Sequence, residues 1–252
     1  MADNLLAKKR SIEIRNSLGL GQSPISDIFT LMESIGIVLF KTPLQNNSLS
    51  AIFMQDKRNY LVIINSNKTL GHQIFSAAHE LSHYFFDKQM VAGICSVNKY
   101  SQNLPYEQLA DQFASEFLMP DSGIIASAEP RKNRQGKLDL FDIVFLQQYY
   151  KVSWSAILNK LVSLNYINDA DEYKNIGITR LTKMLGYDTN LVSKTNNVIV
   201  SRKYIELALK CYENDNISKS KLKEYLSDVN IEISDINKIE ELVNGGDGDE
   251  DK

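Results

Sequence analysis

Residues 77–86 read AAHELSHYFF, and this stretch decides both the architecture and the chemistry. Within it stands His79-Glu80-Leu81-Ser82-His83. Histidines four apart on an α-helix project from one face, offset by about 40°, so both imidazoles can reach a single metal ion. Glu80, next along the helix, can sit beside a water on that ion without being a ligand. Zinc lowers the pKa of such a water toward ~7, and a neighbouring carboxylate can take its proton as it attacks a carbonyl. The chain has 3 histidines and 31 acidic residues. Fewer than about 0.005 chance matches to this zinc-hydrolase signature are then expected. The flanking Phe75, Ala78, Phe85 and Phe86 indicate a largely buried helix rather than two histidines on a solvated one.

Outward from the motif, Leu70, Ile74, Phe75, Ala78, Leu81 and Phe85 extend the helical spacing over Thr69–Phe86. Upstream, IVLF, AIFMQ, a polar DKRN turn and YLVII predict a small, mainly antiparallel sheet with a hairpin between Ile37 and Asn65. Before them, residues 4–18 predict a short helix that breaks at Gly19 and Gly21. Ser23-Pro24 is expected to open a second one carrying Ile25, Ile28, Phe29, Met32 and Ile35. Downstream, a polar loop covers about 88–104, then Pro105 starts a helix that runs to Met119 and stops at Pro120.

Beyond residue 137 the pattern is helical. LDLFDIVFLQQYY and WSAILNKLVSL are separated only by Lys151, Val152 and Ser153, a helix-turn-helix-like pair, and amphipathic segments follow near 177–185, 200–213, 218–228 and 234–243. The fold class is therefore α+β: a small, mainly antiparallel sheet packed on the HExxH helix and a second ligand helix, followed by an all-helical C-terminal region. The expected divisions are a metallopeptidase core over 1–135, the helical pair over 136–168, a docking or regulatory region over 169–244 and an acidic, disordered tail over 245–252.

A catalytic zinc usually has three protein ligands and one open position. His72 precedes His79 by seven residues, which places it about 10 Å along the helix and out of reach. The helix from Pro105 offers better candidates. Glu107 and Asp111 are four apart on one face, so one carboxylate can bind metal while the other accepts the second N–H of a ligand histidine. Glu107 is the preferred third ligand. Glu116 is the alternative, although nine residues on it points to the opposite side. The oxyanion donor is open among Tyr84, Tyr100, Tyr106 and Arg131.

AAHELSHYFF followed by EQLADQFASEFLMP resembles the ImmA/IrrE metallopeptidases, in which an HExxH helix precedes an E-x-x-A-[ND]-x-F-A-x-x-[FL]-L-M-P helix. Both motifs stand in that order and spacing, the hairpin ending in VIIN also fits, and the resemblance covers about residues 24–165. More broadly, HExxH followed by ExxxD is similar to the thermolysin-like gluzincins. The resemblance implies that His79, His83 and Glu107 bind zinc, that Glu80 is the general base and that Asp111 orients a ligand histidine. It also implies a bacterial zinc endopeptidase whose protein substrate is typically a helix-turn-helix repressor of a phage or other mobile element. Strand Tyr60–Asn65 is then either the edge on which an extended substrate lies or an ordinary core strand.

The formal net charge is −3, all of it accounted for by the last six residues, so the body carries no basic excess of the kind that grips nucleic acid. Cys95 and Cys211 are far apart and form no CxxC cluster, which reads as reduced thiols in a cytoplasmic protein. Charges near the N-terminus interrupt any secretory apolar run, and no stretch of 18 apolar residues occurs, so neither export by that route nor membrane spanning is expected. The rival reading is a regulator that binds DNA or protein through Asp139–Leu164, with the metal site structural or vestigial. Against it, Lys160 is the only basic residue between Trp154 and Ile167, few for a recognition helix.

Overall fold

The computed structural model describes residues 2–57, 59–96 and 104–227. Tyr100, the helix expected near 234–243 and the tail over 245–252 lie outside them. In chain order the elements are α1 (Ala2–Ser17), α2 (Ile28–Ser34), β1 (Val38–Thr42), β2 (Leu49–Gln55), β3 (Tyr60–Asn65), α3 (Leu70–Phe86), β4 (Ala92–Ser96), α4 (Pro105–Leu118), α5 (Asp121–Ala128), α6 (Leu140–Tyr150), α7 (Trp154–Ser163), α8 (Asp171–Lys174), α9 (Ile178–Met184), β5 (Ile199–Val200), α10 (Arg202–Glu213) and α11 (Lys219–Ser227). Two compact units divide at Asn197 and Val198.

In the first unit four strands run in the order β4-β2-β3-β1. β2 is antiparallel to both β3 and β4, while β1 lies parallel to β3. The expected mixed α+β fold with its mainly antiparallel sheet is what the chain forms. β4 was not anticipated: it lies in the stretch expected to be loop, and it takes the edge beside β2. Tyr60–Asn65 is an interior strand between β1 and β2, because β1 pairs with it in parallel on the side away from β2, so the edge reading of that strand is corrected.

The helix start expected at Ser23-Pro24 is also corrected. α2 begins at Ile28, because the Asp27 carboxylate takes the capping role and accepts the N–H groups of Phe29 at 2.9 Å and Thr30 at 3.4 Å. The backbone before it is used otherwise, with Ser23 O accepting from Arg15. Arg15 is 1% exposed and also reaches Gly21 O at 2.8 Å and Phe117 O. This cation closes three loop and helix-end carbonyls at once, which fixes α1 against the C-terminal end of α4.

The motif helix α3 starts where the spacing predicted, with Thr69 as its cap. Ala77, Ala78 and Leu81 are fully buried and meet Phe113 and Phe117 of α4 within the main hydrophobic core. The helical pair shares that core through Ile143, Leu146, Ile157, Leu158 and Leu161. Its turn presses on the first turn of α3 so closely that a Cβ at Gly71 would stand 2.8 Å from Ser153 N and 2.9 Å from Ser153 Cα. Only glycine admits that backbone approach. Lys160 of α7 is 3% exposed and pairs with Glu116 at 2.8 Å and Asp121 at 2.5 Å, so the one cation of the supposed recognition helix is spent inside the fold. In the second unit α10 and α11 enclose a small cluster of Ala208, Leu222 and Leu226.

Candidate metal centre

α3 and α4 bring together His79, His83, Glu107 and Asp111, the residues singled out by spacing. His79 and His83 are each 2% exposed, and their Nε2 atoms face one another at 3.1 Å. Glu107 closes the triangle, with Oε2 3.1 Å from His79 Nε2 and Oε1 3.7 Å from His83 Nε2. Asp111 Oδ1 lies 2.8 Å from His79 Nδ1, and Asp87 Oδ2 lies 2.7 Å from His83 Nδ1.

These contacts fix what the site can hold. With each Nδ1–H donated to a carboxylate, both Nε2 atoms and the Glu107 oxygens converge as electron-pair donors, an arrangement that only a proton or a cation between them can satisfy. Three donors at about 2.0–2.1 Å from a tetrahedral zinc ion would stand roughly 3.3 Å apart, close to the spacings found. The residues present therefore fit a zinc ion. Without one, burial pushes the His79 imidazole down, but Cys95, Asp111 and Glu107 around it outweigh burial and hold it well above the usual histidine range. A proton then stands where positive charge is wanted.

Glu80 is fully buried, and neither carboxylate oxygen has a hydrogen-bond partner. Burial pushes its pKa up to about 6, with His79 and His83 pulling it down and Glu107 pushing it up. A carboxylate near the working pH, with nothing to bind, can accept a proton from a reacting water.

Several neighbours went unnoticed in the sequence. Asp87 sits at i+4 from His83 at the end of α3, a spacing that could have been read as a second orienting carboxylate. Cys95 of β4 places its sulfur within 4.8 Å of ligand atoms of both His79 and Glu107. Tyr60 is 5% exposed, its hydroxyl has no partner, and burial followed by the charge of Glu80 raises its pKa. Of the oxyanion donors considered, Tyr106 turns its ring edge toward His83, centroids 6.2 Å apart. Tyr84 donates its hydroxyl to Ile35 O at 3.2 Å, and Arg131 lies over Phe145 and pairs with Asp142 at 3.6 Å. Glu116, the alternative ligand, is engaged by Lys160 instead. His72 Nε2 is bonded to Ser50 Oγ at 2.9 Å.

An HExxH helix and an acidic helix packed beneath a small mixed sheet define a metallopeptidase. The model of the peptidase M78 family, described as the IrrE N-terminal-like domain, matches residues 32–162, which is more than half of the chain. The chain belongs to that family. No curated protein matches it. Among the described residues no helix is long and apolar enough to cross a membrane.

Proposed function

We propose that the chain is a zinc endopeptidase of the cytoplasm that cuts one specific protein, a helix-turn-helix repressor of a phage or mobile element. The observation that carries the hydrolytic reading is Glu80: a fully buried carboxylate with two unpartnered oxygens beside a His, His, Glu cluster. A purely structural metal site has no use for such a base. The ion held by His79, His83 and Glu107 would supply Lewis-acid chemistry, polarising the scissile carbonyl and acidifying a water.

The protein's own groups do the rest. Asp111 and Asp87 hold the two imidazoles in the tautomer that leaves Nε2 free. Glu80 takes the proton of the attacking water and can pass it to the leaving amine, which its pKa of about 6 suits at neutral pH. The choice of a repressor as substrate rests on the resemblance of the two helix motifs. The second unit is proposed to help select that substrate, since helices as short as α10 and α11 are marginal alone and enclose few buried residues among those described. Against the rival regulator reading, Lys160, the one basic residue of α7, is buried and paired with Glu116 and Asp121.

The test is co-expression of wild type or Glu80→Gln with a helix-turn-helix repressor of a phage or mobile element. A truncated repressor should appear with wild type only, while both proteins carry about one zinc per chain. A chain ending at Asn197 should keep its zinc and cut more slowly. Equal cleavage by Glu80→Gln would reject the base. An intact repressor beside zinc-loaded wild type would reject the substrate.

A further inference from the structure

The metal-centre reading leaves one potential ligand unused, and it comes from the strand that the sequence did not reveal. β4 pairs with β2 in the register Ala51 with Cys95, Ile52 with Ile94 and Phe53 with Gly93. Side chains alternate between faces along a strand, so Gly93 and Cys95 share the face of Phe53 and Ala51. That face meets α3: the Phe53 ring stacks on His83, centroids 5.4 Å apart, while Ile94 on the other face is 61% exposed. Gly93 is needed for this seating, because a Cβ there would lie 2.2 Å from Phe53 Cε1. The register also shifts between Leu49 and Ala51, beside the Cys95 pair, the kind of irregularity that re-aims a side chain at a site.

The result is a sulfur that forms, with His79 and Glu107, a group whose ligand atoms all lie within 4.8 Å of one another. Ligands of one tetrahedral zinc ion, with sulfur at about 2.3 Å and nitrogen at about 2.0–2.1 Å, stand roughly 3.6 Å apart, so toward His79 and Glu107 the sulfur has about 1 Å to close. Fully buried Glu80, adjacent to His79 along α3, is close enough for its charge to act on Cys95, and its two unpartnered oxygens mark these surroundings as unfinished without a further occupant.

We propose that Cys95 is a fourth protein ligand to the metal held by His79, His83 and Glu107, and that this conformation is a latent form of the peptidase. The inference rests on the zinc reading of the site. Catalytic centres keep one position open, whereas four protein ligands make the closed set of a structural site. Cys95 occupies the position that a hydrolytic water requires. Release would exchange the sulfur for a water, with the freed thiolate taking up a proton and the ladder between β4 and β2 opening. β4 is suited to permit it, since among the described residues it pairs only with β2 and its departure costs one ladder. Substrate that pairs with the edge of β2 would displace β4 and the sulfur together, so that activation and substrate binding are one event.

The full chain, loaded with one equivalent of Co(II) or Zn(II), tests this directly. It has two cysteines, so the control is internal. Wild type and Cys211→Ala should show a near-ultraviolet thiolate-to-cobalt charge-transfer band, and X-ray absorption of the zinc form should show one sulfur at about 2.3 Å. Cys95→Ala should still bind one ion, lose the band and the sulfur, and cleave the repressor several-fold faster than wild type. Metal bound by wild type with nitrogen and oxygen ligands alone would overturn the role of Cys95 and leave the zinc reading intact. Unchanged cleavage by Cys95→Ala would overturn latency. A wild-type chain that takes up no ion would overturn the zinc reading, and this inference with it.

Discussion

The two ends of α3 carry the same residue type in opposite conditions. At its first turn His72 is bonded to Ser50 Oγ, and burial first, then Lys68, push its pKa down to about 4 against the opposing pull of Asp111. Two turns on, His79 and His83 face Glu107 between them and have Asp111 and Asp87 behind them. Seven residues return nearly to the same helical face, so the face does not separate the histidines. What separates them is the partner element: β2 supplies a hydroxyl to one end, α4 and the helix terminus supply carboxylates to the other. An imidazole becomes a ligand where acids hold it, and a neutral core group where they do not.

Removing a ligand should break the comparison most severely. His83→Ala is expected to lower metal content from about one ion per chain to near zero after dialysis, whereas His72→Gln should leave it unchanged. Metal analysis of the two proteins checks this. Equal loss from both would mean that the first turn belongs to the site after all.

A smaller effect is expected behind the ligands. Asp87→Asn and Asp111→Asn each keep a hydrogen-bond acceptor but lose the charge that fixes the imidazole, which should weaken metal binding about 10–100-fold. Competition with a chelator of known affinity measures it. If only Asp111→Asn moves the constant, the contact of Asp87 with His83 is no more than a helix cap.

The contrast also shows what a sequence can disclose. HExxH, Glu107 and Asp111 were legible because all lie at helical spacings, and spacing on a helix is geometry. The start of α2 was misplaced because Ser23-Pro24 and Asp27 are both valid cap signals, and Asp27 caps while the Ser23 carbonyl is engaged by Arg15. β4 and Cys95 were not legible. AGICS has a glycine and too few residues to show alternation, and the approach of Cys95 to His79 depends on a strand register joining residues some forty positions apart. The parallel pairing of β1 and β3 is hidden in the same way, since nothing in either strand states its partner.

The smallest expected effect concerns His72 alone, and its sign follows from linkage. A histidine whose folded pKa is depressed from 6.5 to about 4 binds its proton more weakly in the folded state than in the unfolded one. Its neutral form therefore costs nothing above pH 6.5. As the pH falls toward 4 the unfolded chain is protonated first and stability is lost, by at most about 3.5 kcal/mol, since each pH unit between 6.5 and about 4 is worth about 1.4 kcal/mol. Carboxylates titrate over the same range, so the quantity to measure is a difference. Metal-free wild type and His72→Gln should be unfolded in denaturant between pH 7 and 4, with the glutamine keeping a partner for Ser50 Oγ. The stability gap should move in favour of the variant as the pH falls. A gap that does not change with pH would mean that His72 binds its proton equally well in the folded and the unfolded chain, so that the first turn of α3 does not hold it neutral.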